Sequence, residues 1–141
     1  MNFFFNEKDS DYYINLLKSY QKIIITTQMV NFNIPTTLKN FLDHILVANK
    51  TFSYKYSKKG EAIGLLKDHN IKIQILATQG APKGWYPWGD HVANLKGSLE
   101  FMGLIVFEPI LIDGTKLVLD IDPNEYIKKW ENEIKEKALK F

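Results

Sequence analysis

Two β-branched runs, KIIITT at residues 22–27 and IKIQILAT at residues 71–78, are each followed by a loop and then by apolar residues at helical spacing. That alternation limits the possible folds more than any other feature. Strands joined through helices run parallel, with right-handed crossovers, so the order specifies an α/β sandwich. After the first run, Leu38, Phe41, Leu42, Ile45 and Leu46 recur at i, i+3, i+4, i+7 and i+8, with Pro35 in the first turn, which predicts one apolar helix face. After the second run, Val92, Leu95, Leu99 and Met102 form another stripe, with Gly103 as its C-terminal cap. LIVFEPILI, residues 104–112, is a third strand in which Pro109 marks an edge or a bulge.

The flanks are helical too. Tyr12, Tyr13, Leu16, Leu17 and Tyr20 keep helical spacing behind Asp9 or Ser10 as cap. At the other end, Asp122 caps, Pro123 and Glu125 occupy the first turn, and Ile127, Trp130 and Ile134 face inward. TFSYKY, residues 51–56, reads as a short extended arm with one apolar face. KIIITT is expected to be covered on both faces, as strands of a parallel sheet usually are. A leading helix and three strands make a small sheet for this class.

Composition narrows the chemistry. At 141 residues the chain is expected to form a single domain, residues 1–141. Its eighteen cationic residues are all Lys, so bidentate guanidinium contacts to phosphate or carboxylate are excluded. There is no Cys, which removes thiol catalysis and Cys-ligated metals. A net charge of +2 with interspersed signs argues against nucleic acid as a partner. No apolar segment is long enough for a membrane span, and the expected location is cytoplasmic. No P-loop, nucleophile elbow or His–carboxylate metal spacing occurs. We therefore assign no catalytic side chain and no metal ligand.

In open parallel sheets, ligands sit beyond the carboxyl ends of the strands. The loops from Gln28 to Asn33 and from Gln79 to Trp88 leave two such ends. Asn31 and Asn33 have two readings, as local turn and cap residues or as amides facing a flat heteroaromatic ligand. GWYPW, residues 84–88, is either local packing over the sheet end or a stacking wall. His44 is read as structural, His69 as surface, and His91 as the start of a helix at the ligand rim.

MVNFNIPTTLKNFLDHI, KTFSYKY, ATQGAPKGW and LEFMG, in that order along nearly the whole chain, resemble the FMN-dependent NADH-azoreductase family of flavodoxin-like quinone and azo-compound reductases, its mycoplasma members most of all. The resemblance implies an open parallel sheet with helices on both faces, here the C-terminal two-thirds of the family's domain. It implies FMN as cofactor, NADH as donor, a quinone or azo acceptor, ping-pong hydride transfer, and a homodimer with the site at the subunit interface. Met29, Val30, Asn31, Phe32 and Asn33 fall on the family's first flavin loop, and Thr78, Gln79, Gly80 and Ala81 on its second. Tyr54 and Phe101 fall on aromatic positions at the substrate side, and Trp85 is expected beside them as a wall. Gln28, Val30 and Gln79 stand where the family has Pro, Tyr and Arg. The resemblance begins at the family's second helix, leaving out a strand, a serine-rich phosphate loop, a helix and a second strand, which implies an exposed edge at KIIITT; Lys83 is the cation expected at the rim. The alternative is a non-catalytic fragment or partner subunit that cannot hold FMN alone.

Overall fold

The computed structural model describes residues 6–55 and 60–141. In chain order the elements are α1 (Glu7–Lys18), β1 (Lys22–Gln28), α2 (Thr36–Ile45), β2 (Phe52–Ser53), β3 (Ile63–Gly64), β4 (Lys72–Thr78), α3 (His91–Phe101), β5 (Ile105–Val106), β6 (Ile110–Ile112), α4 (Pro123–Ile127) and α5 (Glu131–Lys140). The central strand is β4. It pairs in parallel with β1 from Lys22–Lys72 to Gln28–Thr78, and on its other side with β5 and β6. The arm is an antiparallel pair, Phe52 opposite Gly64; Tyr56 of the expected arm lies outside the described residues.

The third strand run breaks at the proline, as its sequence suggests. Ile73 faces Val106 whereas Leu76 faces Ile110, so the outer strand carries one extra residue, the signature of a bulge. Gln74 lies opposite the interruption, and its Nε2 donates to the Glu108 carbonyl at 3.2 Å. That bond stands in for a missing ladder contact.

Because β1, β4 and the β5–β6 strand follow in one direction across the sheet, right-handed crossovers place α2 and α3 on the same face. Ile73, Ile75, Leu95, Leu99 and Met102 are fully buried there, and Leu42 and Ile45 join them from α2. α1 packs on α2 through Tyr13, whose ring meets Phe41 edge-on at 5.6 Å, and Ser10 Oγ lies 3.4 Å from the buried His44 Nδ1.

Three expectations are corrected. KIIITT is not covered on both faces: Ile23 and Ile25 pack against the core, but Ile24 is 62% exposed. Among the described residues β1 is an edge strand, as the missing strands implied, and at its start Lys22 lies over the Phe141 ring of the C-terminus. The cap of α1 is Asn6, whose Oδ1 accepts the Asp9 N–H at 2.7 Å, so the helix starts before Asp9. The terminal helix is broken by a 3-10 turn at Lys128–Trp130, and Ile127 is half exposed. Tyr126 turns inward instead, donating to the Asp113 carbonyl.

Among the described residues, no helix is long and apolar enough to cross a membrane, and no His, Cys, Asp and Glu residues group to hold a metal ion.

Candidate functional site at the carboxyl ends of the strands

Met29 extends the sheet by one bond, its N–H donating to the Thr78 carbonyl at 2.8 Å. Val30 and Asn33 then exchange backbone hydrogen bonds of 2.8 and 3.0 Å, leaving Asn31 and Phe32 as a two-residue hairpin turn. Both have left-handed φ, 47° and 67°, as in a type I′ turn. Asparagine accepts this conformation readily; phenylalanine does so at a cost of about 1–2 kcal/mol. The Phe32 ring packs on Tyr86 at 5.1 Å and on Trp88 at 6.1 Å, contacts that hold the strained turn in place. Asn33 uses its side chain locally, Oδ1 accepting the Ile34 N–H at 2.8 Å.

The second loop is laced to a third. Gly114 N–H donates to Ala81 O at 3.2 Å, Thr115 N–H to Gln79 O at 3.2 Å and Lys116 N–H to Gly80 O at 3.0 Å. The Thr115 hydroxyl adds a bond to Gln79 O at 3.2 Å. The Lys116 stem packs where a Gly80 side chain would stand, its Cγ 2.7 Å from the position of a Cβ. Gln79 turns inward, its Nε2 donating to the Ala81 carbonyl at 2.8 Å.

The two loops meet in a cleft of about 350 Å³. Met29, Asn31 and Phe32 contribute from the first loop, Gly80 and Ala81 from the second, Trp85 and Tyr86 from the aromatic segment, and Lys116 and Leu117 complete the lining. Six residues singled out from sequence thus come together: Met29, Asn31, Phe32, Gly80, Ala81 and Trp85. The others do not join them. Val30 and Asn33 build the hairpin, Thr78 ends β4, and Gln79 lines a neighbouring cavity with Lys83 and Asp90. Tyr54 and Phe101 gather elsewhere, around Phe52, with ring centroids 5.7 and 4.9 Å from it. Phe52 and Phe101 border a separate open depression with Asn94 and Gly97 of α3.

Lys116 and Leu117 escaped the sequence reading, which named Lys83 as the rim cation. The rule that singled out the first two loops applies to them equally: they follow β6, whose carboxyl end lies beside that of β4.

His91 opens α3 behind Asp90, whose side chain caps the helix through the Ala93 N–H at 2.9 Å. The imidazole is buried and neither ring nitrogen has a hydrogen-bond partner. Burial holds its pKa below the ordinary value of 6.5, a shift that nearby Asp90 opposes. The unfolded chain therefore binds a proton near pH 6.5 that the folded chain refuses, and this residue's share of stability falls as pH drops below 6.5. His91→Leu is expected to flatten the decline between pH 7 and pH 5 in urea unfolding. An unchanged slope would show that His91 takes up its proton in the folded protein as readily as in the unfolded chain.

A parallel sheet with a cleft beyond its strand ends and helices packed on it is a flavodoxin-like architecture, and the chain belongs to the flavodoxin-like fold family, whose model matches residues 2–138. Within the family it is similar to proteins called FMN-dependent NADH:quinone oxidoreductase. One, from Malacoplasma penetrans, is 58% identical over 140 residues, covering 98% of this chain and 65% of the relative. Another, from Mycoplasmopsis pulmonis, is 52% identical over 143 residues, covering 100% of this chain and 71% of the relative. Among solved structures, an FMN-dependent NADH-azoreductase from Bacillus anthracis in complex with FMN superposes with a TM-score of 0.77 at 26% identity, covering 94% of this chain and 61% of that one. The chain thus spans about two-thirds of the length of the curated relatives it matches.

Proposed function

We propose that this chain carries the flavin-ring cleft of an FMN-dependent NADH:quinone oxidoreductase that also reduces azo compounds. One observation carries the reading: the two loops whose sequences resemble the family's flavin loops meet in a single aromatic-walled cleft. The lining suits a flat heteroaromatic ring. It offers rings for stacking, one amide and one ammonium, in a volume of about 350 Å³. Bound FMN would supply the redox chemistry, taking a hydride from the nicotinamide and passing it on, which is why the chain needs no acid or base of its own. Met29, Asn31, Phe32, Gly80 and Ala81 would hold the ring, while Trp85 and Tyr86 would keep water from it.

The reading extends to a cytoplasmic homodimer with the site at the subunit interface. Tyr54 and Phe101 do not line this chain's own cleft, and their exposure of 58% and 39% leaves them free to face a second copy.

A second reading has its own support. Among the described residues, β1 has no strand on its outer edge, and an apolar groove lined by Tyr13, Leu16, Tyr20, Ile23, Ile25 and Phe41 runs beside it. An unpaired edge of this kind accepts a strand from another chain, so the chain would serve as a partner subunit without flavin of its own. Titration of the purified 141-residue chain with FMN, followed by flavin fluorescence, separates the two. Stoichiometric quenching is expected, and NADH-driven quinone reduction should accompany it. A folded chain that leaves FMN fluorescence unchanged would exclude the first reading and leave the second.

A further inference from the structure

We infer that Lys116 sets the charge of the cleft and so favours the reduced, more negative form of a bound flavin over the oxidised one. The inference rests on the flavin reading. Among the residues lining the cleft, Lys116 is the charged one; the rest are apolar, aromatic or neutral. Gln79, the side chain next to Gly80 in sequence, is neutral and folded back on the Ala81 carbonyl, so it adds no charge.

The position of Lys116 is built rather than incidental. Its N–H is bonded to Gly80 O, and its Cγ, Cδ and Cε lie across the Gly80 α-carbon, within 3.0 Å of where a Cβ would stand. A lysine stem confined in this way loses less freedom when its head meets an anion than one free in solvent does. Among the described residues Lys116 forms no ion pair, whereas Lys39, Lys50, Lys96, Lys135 and Lys137 do. Asp113, three residues upstream, has its carboxylate engaged by the Lys83 N–H at 2.5 Å. Phe32, Trp85 and Tyr86 form the walls of the cleft, surfaces on which a flat ring would stack beside Lys116.

A flavin ring gains negative charge on taking up a hydride. A fixed cation beside it therefore stabilises the reduced form more than the oxidised form, in the way preorganised charge acts on any developing anion. Lys116 is in this sense a tuning residue. It accepts no proton and forms no bond in the reaction.

The test compares wild type with Lys116→Met, which keeps an unbranched stem over Gly80, and with Lys116→Arg, which keeps the charge. FMN affinity is measured by fluorescence quenching, and the midpoint potential of bound FMN by equilibration with a reference dye. In Lys116→Met the preference for reduced over oxidised FMN should fall about tenfold, a drop of about 30 mV for a two-electron couple. Lys116→Arg should restore it. The wild-type preference should also weaken between 0.05 and 0.5 M salt, since Lys116 is exposed, while that of Lys116→Met stays flat. Bound flavin with the same potential in wild type and Lys116→Met would overturn the inference alone. Failure of the wild type to bind FMN would overturn the flavin reading and the inference with it.

Discussion

A chain carrying Gly64→Ala is expected to lose about 3 kcal/mol of stability, lowering its melting temperature by about 10 °C for a chain of this size. The reason is backbone geometry. Gly64 lies in β3, and a Cβ there would stand 2.4 Å from Gly103 N and 2.5 Å from the Met102 carbonyl carbon. Neither atom can rotate out of the way. The same crossing is tied by the Leu66 N–H to the Met102 carbonyl at 2.9 Å, and the arm by the Leu65 N–H to Thr51 O at 2.9 Å. To admit the methyl group, the arm must lift from the end of α3, and the contact of Phe52 with Phe101 must loosen. Gly97→Ala is the matched control, since a Cβ on Gly97 meets nothing within 4 Å. In the interior of α3 it should stabilise by about 0.5–1 kcal/mol. Urea and thermal unfolding of the two variants should therefore move in opposite directions. Equal stabilities would mean that the arm yields without cost and does not brace the helix.

The contrast between these glycines shows what a sequence can and cannot carry. The alternation of β-branched runs with helical stripes is a local signal, so the parallel α/β architecture and the burial of Leu42, Leu95, Leu99 and Met102 could be read from it. Pro109 likewise announced its own bulge. Coverage of a strand by elements distant in the chain is different. The residues of KIIITT are the same whether or not a helix lies over Ile24, so its uncovered face is visible only in the structure; that β1 is an edge was legible, but from the strands the resemblance leaves out rather than from the run itself. The site divides along the same line. Asn31, Phe32 and Gly80 stood out because loops at strand ends carry ligands. Lys116 was overlooked because DGTKL looks like an ordinary polar turn, and its meaning comes from three hydrogen bonds to residues about thirty-five positions upstream. Why amides flank Phe32 also became clear only with backbone angles: Asn31 tolerates the left-handed turn that Phe32 must enter, and Asn33 closes it.

That forced conformation yields the sharpest prediction for the site. Phe32→Ala and Phe32→Gly both remove the ring that packs on Tyr86 and Trp88, so any difference between them comes from the backbone. At φ 67°, alanine keeps the clash of a Cβ with its neighbouring carbonyl, worth about 1–2 kcal/mol. Glycine relieves it and gives back about 0.5–1 kcal/mol through its more flexible unfolded chain. The glycine variant should accordingly be the more stable of the two by about 1 kcal/mol, the reverse of their usual ranking. Ligand binding should not follow stability. Both variants lack the aromatic wall, and each is expected to bind FMN about tenfold more weakly than wild type, an aromatic contact of about 1.4 kcal/mol. Unfolding curves and FMN titrations on the same preparations supply both readings. If alanine proved the more stable, Phe32 would not be held in a strained turn. If both variants bound FMN as tightly as wild type, the ring would be a brace for the loop, and the strain would serve folding of the rim rather than recognition of the flavin.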